Sequence, residues 1–208
     1  MKLIAFDTCL DKTYIVLRDK DKILTSKILN SDEKNYHSAY LISTIAKILK
    51  ENNLTPKDIE GIAINIGPGS FTGIRACTTV ARVMAQELNI KAIGISSLEI
   101  LSKAEDDKYV VALDARKNKA YLYDGKLLGA VDLEEVDKIV AGRDIITDDR
   151  LFERFKNIGN NIISYQQANY DLGKILSDIA IERIQTEESD WHKLLPLYIQ
   201  PPPVTLKK

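Results

Sequence analysis

The chain has 208 residues, 45% of them hydrophobic, which is enough for one or two compact domains around a real core. Its 29 basic and 30 acidic side chains leave a net charge of −1, so no global field draws the isolated chain to a polyanion, and tight direct binding of nucleic acid is not supported. No apolar run approaches the ~18 residues that cross a bilayer, and Met1-Lys2 leads straight into a strand pattern with no secretory signal, so a cytoplasmic protein without membrane contact is expected.

Residues 3–6, 13–17 and 23–28 read as three strands of an antiparallel meander, and 38–52 as a helix. Thr55-Pro56 with Asp58 then breaks the chain, because proline excludes continued helix. A buried strand over 62–66 leads through a glycine-rich turn into Phe71–Leu88, a helix without internal proline that stops at Asn89, and Lys91–Ile95 is a further strand. The second half predicts a hairpin over 109–127, turning at Asp124-Gly125-Lys126, where Asp-Gly is a strong hairpin signal. A helix over 133–140, a strand over 144–147, a helix over 151–156, a strand over 161–165 and a helix over 172–184 follow. Residues 196–203 hold four of the six prolines and are extended, packing back on the body or ending in solvent. The expected division is an N-terminal α/β lobe over 1–100, a smaller lobe over 101–190 and a proline-rich tail over 191–208. Cys9 and Cys77 have no paired spacing and read as small buried side chains in a reducing compartment.

The turn reads Gly67-Pro68-Gly69-Ser70-Phe71-Thr72-Gly73-Ile74-Arg75. Gly67 and Gly69 permit conformations closed to other residues, Ser70 or Thr72 can cap the helix, and unpaired N–H groups at a helix start attract an anion. The spacing is neither that of a P-loop, which closes on Gly-Lys-Ser/Thr, nor that of a dinucleotide fingerprint, since Gly73 comes four places after Gly69. On local sequence alone, a plain strand-to-helix turn stands beside a ligand-binding one.

The two halves open alike. Asp7 is followed seven residues later by Tyr14, and Asp114 seven residues later by Tyr121, each time from one apolar strand into a second that returns. Two such units, each continuing into helix and strand, predict two related α/β lobes: the two-lobed, ribonuclease H-like arrangement of the actin, Hsp70 and sugar-kinase superfamily, here with a reduced second lobe. ATPases of that superfamily grip nucleotide with a glycine-containing hairpin in each lobe. Here Gly125, Gly129, Gly142, Gly159 and Gly173 are scattered, and the turn after Asp114 continues Ala115-Arg116-Lys117-Asn118, which offers charge without close backbone approach. Independent ATP hydrolysis is therefore not expected. Asp7 stands where such folds organise a metal, or else caps a turn at a strand end.

GPGSFTGIR after a short apolar strand closely resembles the TsaB (YeaZ) family. So, in the same order, do Ile4-Ala5-Phe6-Asp7-Thr8, Ala112-Leu113-Asp114-Ala115-Arg116 with Tyr121, and Leu195-Pro196-Leu197-Tyr198, so that the likeness spans the chain. One departure is Gln200, where the family commonly carries arginine. The resemblance implies a non-catalytic partner of a TsaD-like subunit in the synthesis of threonylcarbamoyladenosine on tRNA. The TsaD-like metal site takes two histidines four apart, but here His37 is followed by Leu41 and His192 stands alone beside Trp191, so no metal is expected. No Gly-x-Ser-x-Gly elbow is present either. No catalytic residue and no cofactor are expected.

Helix 38–52 carries Leu41, Ile42, Ile45 and Leu49, and helix Phe71–Leu88 carries one stripe through Ile74, Cys77, Ala81, Ala85 and Leu88 and another through Gly73, Ala76, Val80 and Val83. Helices apolar on two sides are buried on two sides, against this chain's own helices or against a partner's at about 8–10 Å. The resemblance implies the second: a face for a TsaD-like catalytic subunit and, for the chain alone, a homodimer. It also implies a TsaE-like ATPase in the assembly, tRNA held indirectly through the complex, and a nucleotide at the junction near Gly67, Gly69, Ser70 and Arg75. A glutamate at Ile45 is expected to break the partner contact and leave the fold intact. An autonomous small ATPase or kinase of the same superfamily, or a glycoprotease-like metallopeptidase, are the alternatives.

Overall fold

The structure is a computed structural model that describes residues 1–30, 40–105, 107–187 and 190–200. His37, the expected helix start at Ser38 and prolines Pro201, Pro202 and Pro203 lie outside the described residues.

Strands β1 (Lys2–Asp7), β2 (Lys12–Asp19) and β3 (Lys22–Asn30) form the expected meander, and β4 (Gly61–Asn65) and β5 (Lys91–Ile95) extend it in parallel, giving the order β3-β2-β1-β4-β5. Leu3, Ile4, Ala5 and Phe6 are all buried. That continuous apolar run is the mark of a central strand covered on both faces. Ile4 and Phe6 face a core with helices α1 (Leu41–Glu51) and α2 (Phe71–Leu88), while Leu3 and Ala5 face the other way. Ser70 caps α2 by accepting from the Gly73 N–H at 3.3 Å, and Asn89 ends it in the left-handed region at φ 52°.

The second sheet consists of β6 (Val110–Arg116), β7 (Lys119–Tyr123), β8 (Leu127–Asp132), β9 (Ile145–Thr147) and β10 (Ile162–Ser164), in the order β10-β9-β6-β7-β8. It repeats the first sheet strand for strand: an antiparallel meander, then two parallel additions. The expected hairpin is thus the first two strands of a three-stranded meander that runs past Leu127. The second unit is reduced in strand length, β9 and β10 having three residues each, and not in strand number. Helices α4 (Leu133–Val140) and α5 (Asp149–Phe155) cover its outer face over Val110, Ala112 and Leu122, with Phe155 of α5 buried against them.

Helices α3 (Ser97–Ser102) and α6 (Leu172–Arg183) lie between the sheets. The central core joins Leu3, Ala5 and Val16 of the first sheet to Val111, Leu113 and Ile146 of the second through Leu98, Leu101, Leu176 and Ala180. Helix α6 packs chiefly on β1, β2 and β4, so the last long helix of the second half returns to the first sheet. The two-lobed, ribonuclease H-like α/β fold is therefore present, with five layers in the order helices, sheet, helices, sheet, helices. Among the described residues no helix is long and apolar enough to cross a membrane.

Candidate functional site

Both meanders turn at an aspartate, and both aspartates hold the turn in the same way. Asp7 Oδ1 accepts the Cys9 N–H at 2.6 Å, and Asp114 Oδ1 accepts the Arg116 N–H at 2.9 Å, each two residues on. There the likeness ends. Asp7 is buried, and its other oxygen accepts from Asn65 Nδ2 at 2.9 Å. Asn65 in turn accepts from the Gly67 N–H at 2.8 Å and the Ser97 hydroxyl at 2.9 Å. Burial pushes the Asp7 carboxyl up to about 6, against the lowering effect of the Asn65 and Cys9 hydrogen bonds. Asp114 instead borders a cleft of about 460 Å³ between the sheets, with Asp11, Ser70, Asp148 and Arg150, and Arg150 pairs with it at 3.1 Å. Asp148 caps α5 by accepting from the Arg150 and Leu151 N–H groups, and burial is the main cause that raises its pKa.

The glycine turn is closed rather than open. The Ser70 N–H donates to Cys9 O at 2.7 Å, the Gly73 N–H to the Ser70 cap, and the Gly67 N–H to Asn65. A Cβ on Gly69 would stand 2.3 Å from Cys9 O, and one on Gly73 would stand 1.8 Å from Thr8 O. These two glycines let the start of α2 pack on the turn after β1, and of the positions expected near a nucleotide, Gly67, Gly69, Ser70 and Arg75, Gly67 and Ser70 have their amides bonded inside the chain. Gly67 itself has φ 98°, a conformation that glycine alone adopts without strain. Arg75 points out of the turn. Its guanidinium lies 4.0 Å from the Phe71 ring centroid, and its Nε donates to the Tyr198 hydroxyl at 3.3 Å. Beside it runs a groove of about 740 Å³ lined by Arg75, Arg116, Lys117, Tyr121 and the segment from Leu197 to Gln200. That segment packs back on the body: Leu194 is buried, and the Leu197 N–H donates to Ile66 O at 2.9 Å.

The expected partner face is brought together only in part. Leu41, Ile45 and Leu49 are at most 4% exposed, and they pack against Ile4, Ile15 and Leu17 under the first sheet. Gly73 is buried against Thr8, and Ala76 and Val80 are half-buried. Ile42, at 65%, and Val83, at 55%, remain outside. The stripe 41–45–48–49 on α1 is the one that meets the sheet, so a glutamate at Ile45 would enter the core. His192 is exposed, stacks on Trp191 and pairs with Asp190.

Sequence spacing did not bring Cys9 and Cys77 together; the fold does. Thr8 links them, its N–H donating to Cys77 Sγ at 3.2 Å.

A family model described as TsaD: tRNA N6-adenosine threonylcarbamoyltransferase matches residues 23–181, about three quarters of the chain. The chain belongs to that family. Within it, the chain falls among the TsaB (YeaZ) proteins, as the resemblance implied. The tRNA threonylcarbamoyladenosine biosynthesis protein TsaB of Buchnera aphidicola subsp. Schizaphis graminum is 32% identical over 124 residues, covering 57% of this chain and 58% of the relative. TsaB of Bacillus subtilis is 30% identical over 124 residues, covering 58% and 53%. The matched region thus spans a little over half the length of these curated relatives. YeaZ from Pseudomonas aeruginosa superimposes with a TM-score of 0.73 over 95% of this chain and 99% of that one, at 20% identity, a likeness that speaks for the fold.

Proposed function

We propose that this TsaB-family chain serves in the formation of threonylcarbamoyladenosine on tRNA, as a non-catalytic subunit that docks on and activates a TsaD-like transferase. The modified adenosine would be the one beside the anticodon of tRNAs reading codons that start with A. The observation that carries the docking part is the exposure of aliphatic side chains on the outer surfaces of α1 and α2, with Ile42 and Val83 the most exposed. Both helices already bury one stripe on the first sheet, so these residues have no role in the chain's own core. Two observations support a subunit without chemistry of its own. Asp7 has both oxygens engaged inside the fold, and in the glycine turn the Ser70 amide is bonded to Cys9 O and the Gly67 amide to the Asn65 side chain.

A TsaE-like ATPase would join the pair, tRNA would be held through the complex, and the same face would make a homodimer of the lone chain. A nucleotide at the junction would be met chiefly by side chains, Arg75 foremost, since the Gly67 and Ser70 amides are taken. The experiment is co-purification with a TsaD-like protein. Ile42→Glu and Val83→Glu together are expected to abolish the complex, by about 100-fold or more in Kd, while the thermal melting of the chain stays unchanged. An intact complex with both glutamates present would sink the proposed face.

A further inference from the structure

The turn after β1 brings together three groups that the closed glycine turn does not account for. Asp7, Cys9 and Cys77 each direct a donor atom to one place: a carboxylate oxygen and two Sγ atoms lie within 4.8 Å of one another, and all three residues are buried. The thiols are held by neighbours rather than by each other alone. Cys9 Sγ is 3.1 Å from Asn65 O, and Cys77 Sγ is 3.1 Å from Thr8 Oγ1. The carboxylate is the odd member. It is 1% exposed, and no salt bridge among the described residues gives it a cation. A buried carboxylate is ordinarily matched by an opposite charge or neutralised.

We propose that Asp7, Cys9 and Cys77 form a binding site for one thiophilic divalent cation of the zinc class, a structural clamp between the end of β1 and the middle of α2. Two thiolates and a carboxylate are a donor set that tetrahedral zinc takes, with Zn–S bonds of about 2.3 Å that place donors about 3.8 Å apart. The Asn65 carbonyl and the Thr8 hydroxyl are the oxygens within reach for a fourth position. Binding forms two metal–sulfur bonds and one metal–oxygen bond; the two thiol protons pass to solvent, and oxidation states do not change. Cys9 lines the cleft between the sheets, which provides the route in. Metal ligands at short spacings leave a motif in the sequence. Here the two sulfurs are 68 residues apart and meet only because Gly69 and Gly73 let α2 lie on this turn.

The test uses the full chain, reduced with a non-chelating phosphine, stripped with a chelator and titrated with Co²⁺. One ion per chain is expected, with thiolate-to-metal charge transfer and tetrahedral d–d bands that Zn²⁺ displaces. The charge transfer is lost in Cys9→Ser and in Cys77→Ser, and affinity falls about tenfold or more in Asp7→Asn. Because a variant can misfold, the unmodified chain carries a second measurement. Native mass spectrometry with Zn²⁺ is expected to show one added zinc and two missing protons. No such adduct on the folded, reduced chain overturns the site, as does charge transfer that survives both serine variants. So does a Cys9–Cys77 disulfide in a chain that, once reduced, takes up no Co²⁺.

Discussion

Asp7 illustrates how one buried residue couples fold to pH. Its folded pKa is raised to about 6, with burial the largest cause, whereas the unfolded chain titrates it near 3.8. Between those values the native state binds the proton that the unfolded state has released, so this residue's contribution makes stability fall as pH rises through the window. The cost is absent below about 4, complete above about 6, and worth about 3 kcal/mol. In chelator-treated, reduced protein, Asp7→Asn is expected to remove that part of the pH dependence. Urea midpoints measured from about pH 4 to pH 7 for both proteins read it directly. Equal slopes would show that the carboxyl titrates normally in the fold. Asn at this position keeps the shape but turns one N–H donor towards another, so the comparison rests on slopes and not on absolute stability.

Elements differ in how far their own residues specify them. Helix α2 is legible from Phe71 to Leu88 because its cap at Ser70 and its left-handed stop at Asn89 are local signals. Strand β8 is not: it borders the sheet half-exposed, and Gly129 at φ 98° interrupts its alternation. Helix α3 has six residues, too few for a period to show. In α1 the apolar positions are legible, but which of them meet the sheet is a tertiary choice, and Ile45 went to the core while Ile42 stayed out. Glycine roles divide in the same way. Gly73→Ala gains about 1 kcal/mol of helix propensity but sets a Cβ 1.8 Å from a backbone oxygen that cannot rotate aside. The overlap wins, and a net loss of about 3 kcal/mol or more in urea denaturation is expected. Gly125→Ala meets nothing within 4 Å and carries only the strain of φ 65°, about 1–2 kcal/mol. If the two variants lost the same stability, the packing of α2 on the β1 turn would not be the reason for Gly73.

At the scale of the molecule, the deciding feature is a helix that leaves its own half. The duplication announced by Asp7 and Asp114 is legible in sequence, as is the two-sheet class. That α6 packs on β1, β2 and β4 is not, because contacts between residues about 160 apart leave no local pattern. Arg18 fixes the crossing. Its side chain is 5% exposed on β2 and reaches α6, where Nη1 lies 2.6 Å from Asp178 Oδ1 and 3.2 Å from the Ser177 hydroxyl, while Nε donates to Lys20 O. Asp178 is half-exposed, so solvent screens part of the attraction, yet removing it leaves a guanidinium in the interior without its counter-charge. Asp178→Ala is therefore expected to cost about 1–2 kcal/mol, whereas Glu51→Ala, which breaks the exposed Lys47–Glu51 pair on α1, costs about 0.5 kcal/mol or less. Because α6 joins both sheets through one core, the loss should appear as an earlier but still single transition. Trp191, the one tryptophan, packs against the core beneath α2 and reports the first sheet, while far-ultraviolet circular dichroism reports both. Coincident midpoints by the two probes, shifted together in Asp178→Ala, are the expected result. A variant whose tryptophan transition separates from the dichroism would mean that the sheets unfold independently and that α6 does not couple them.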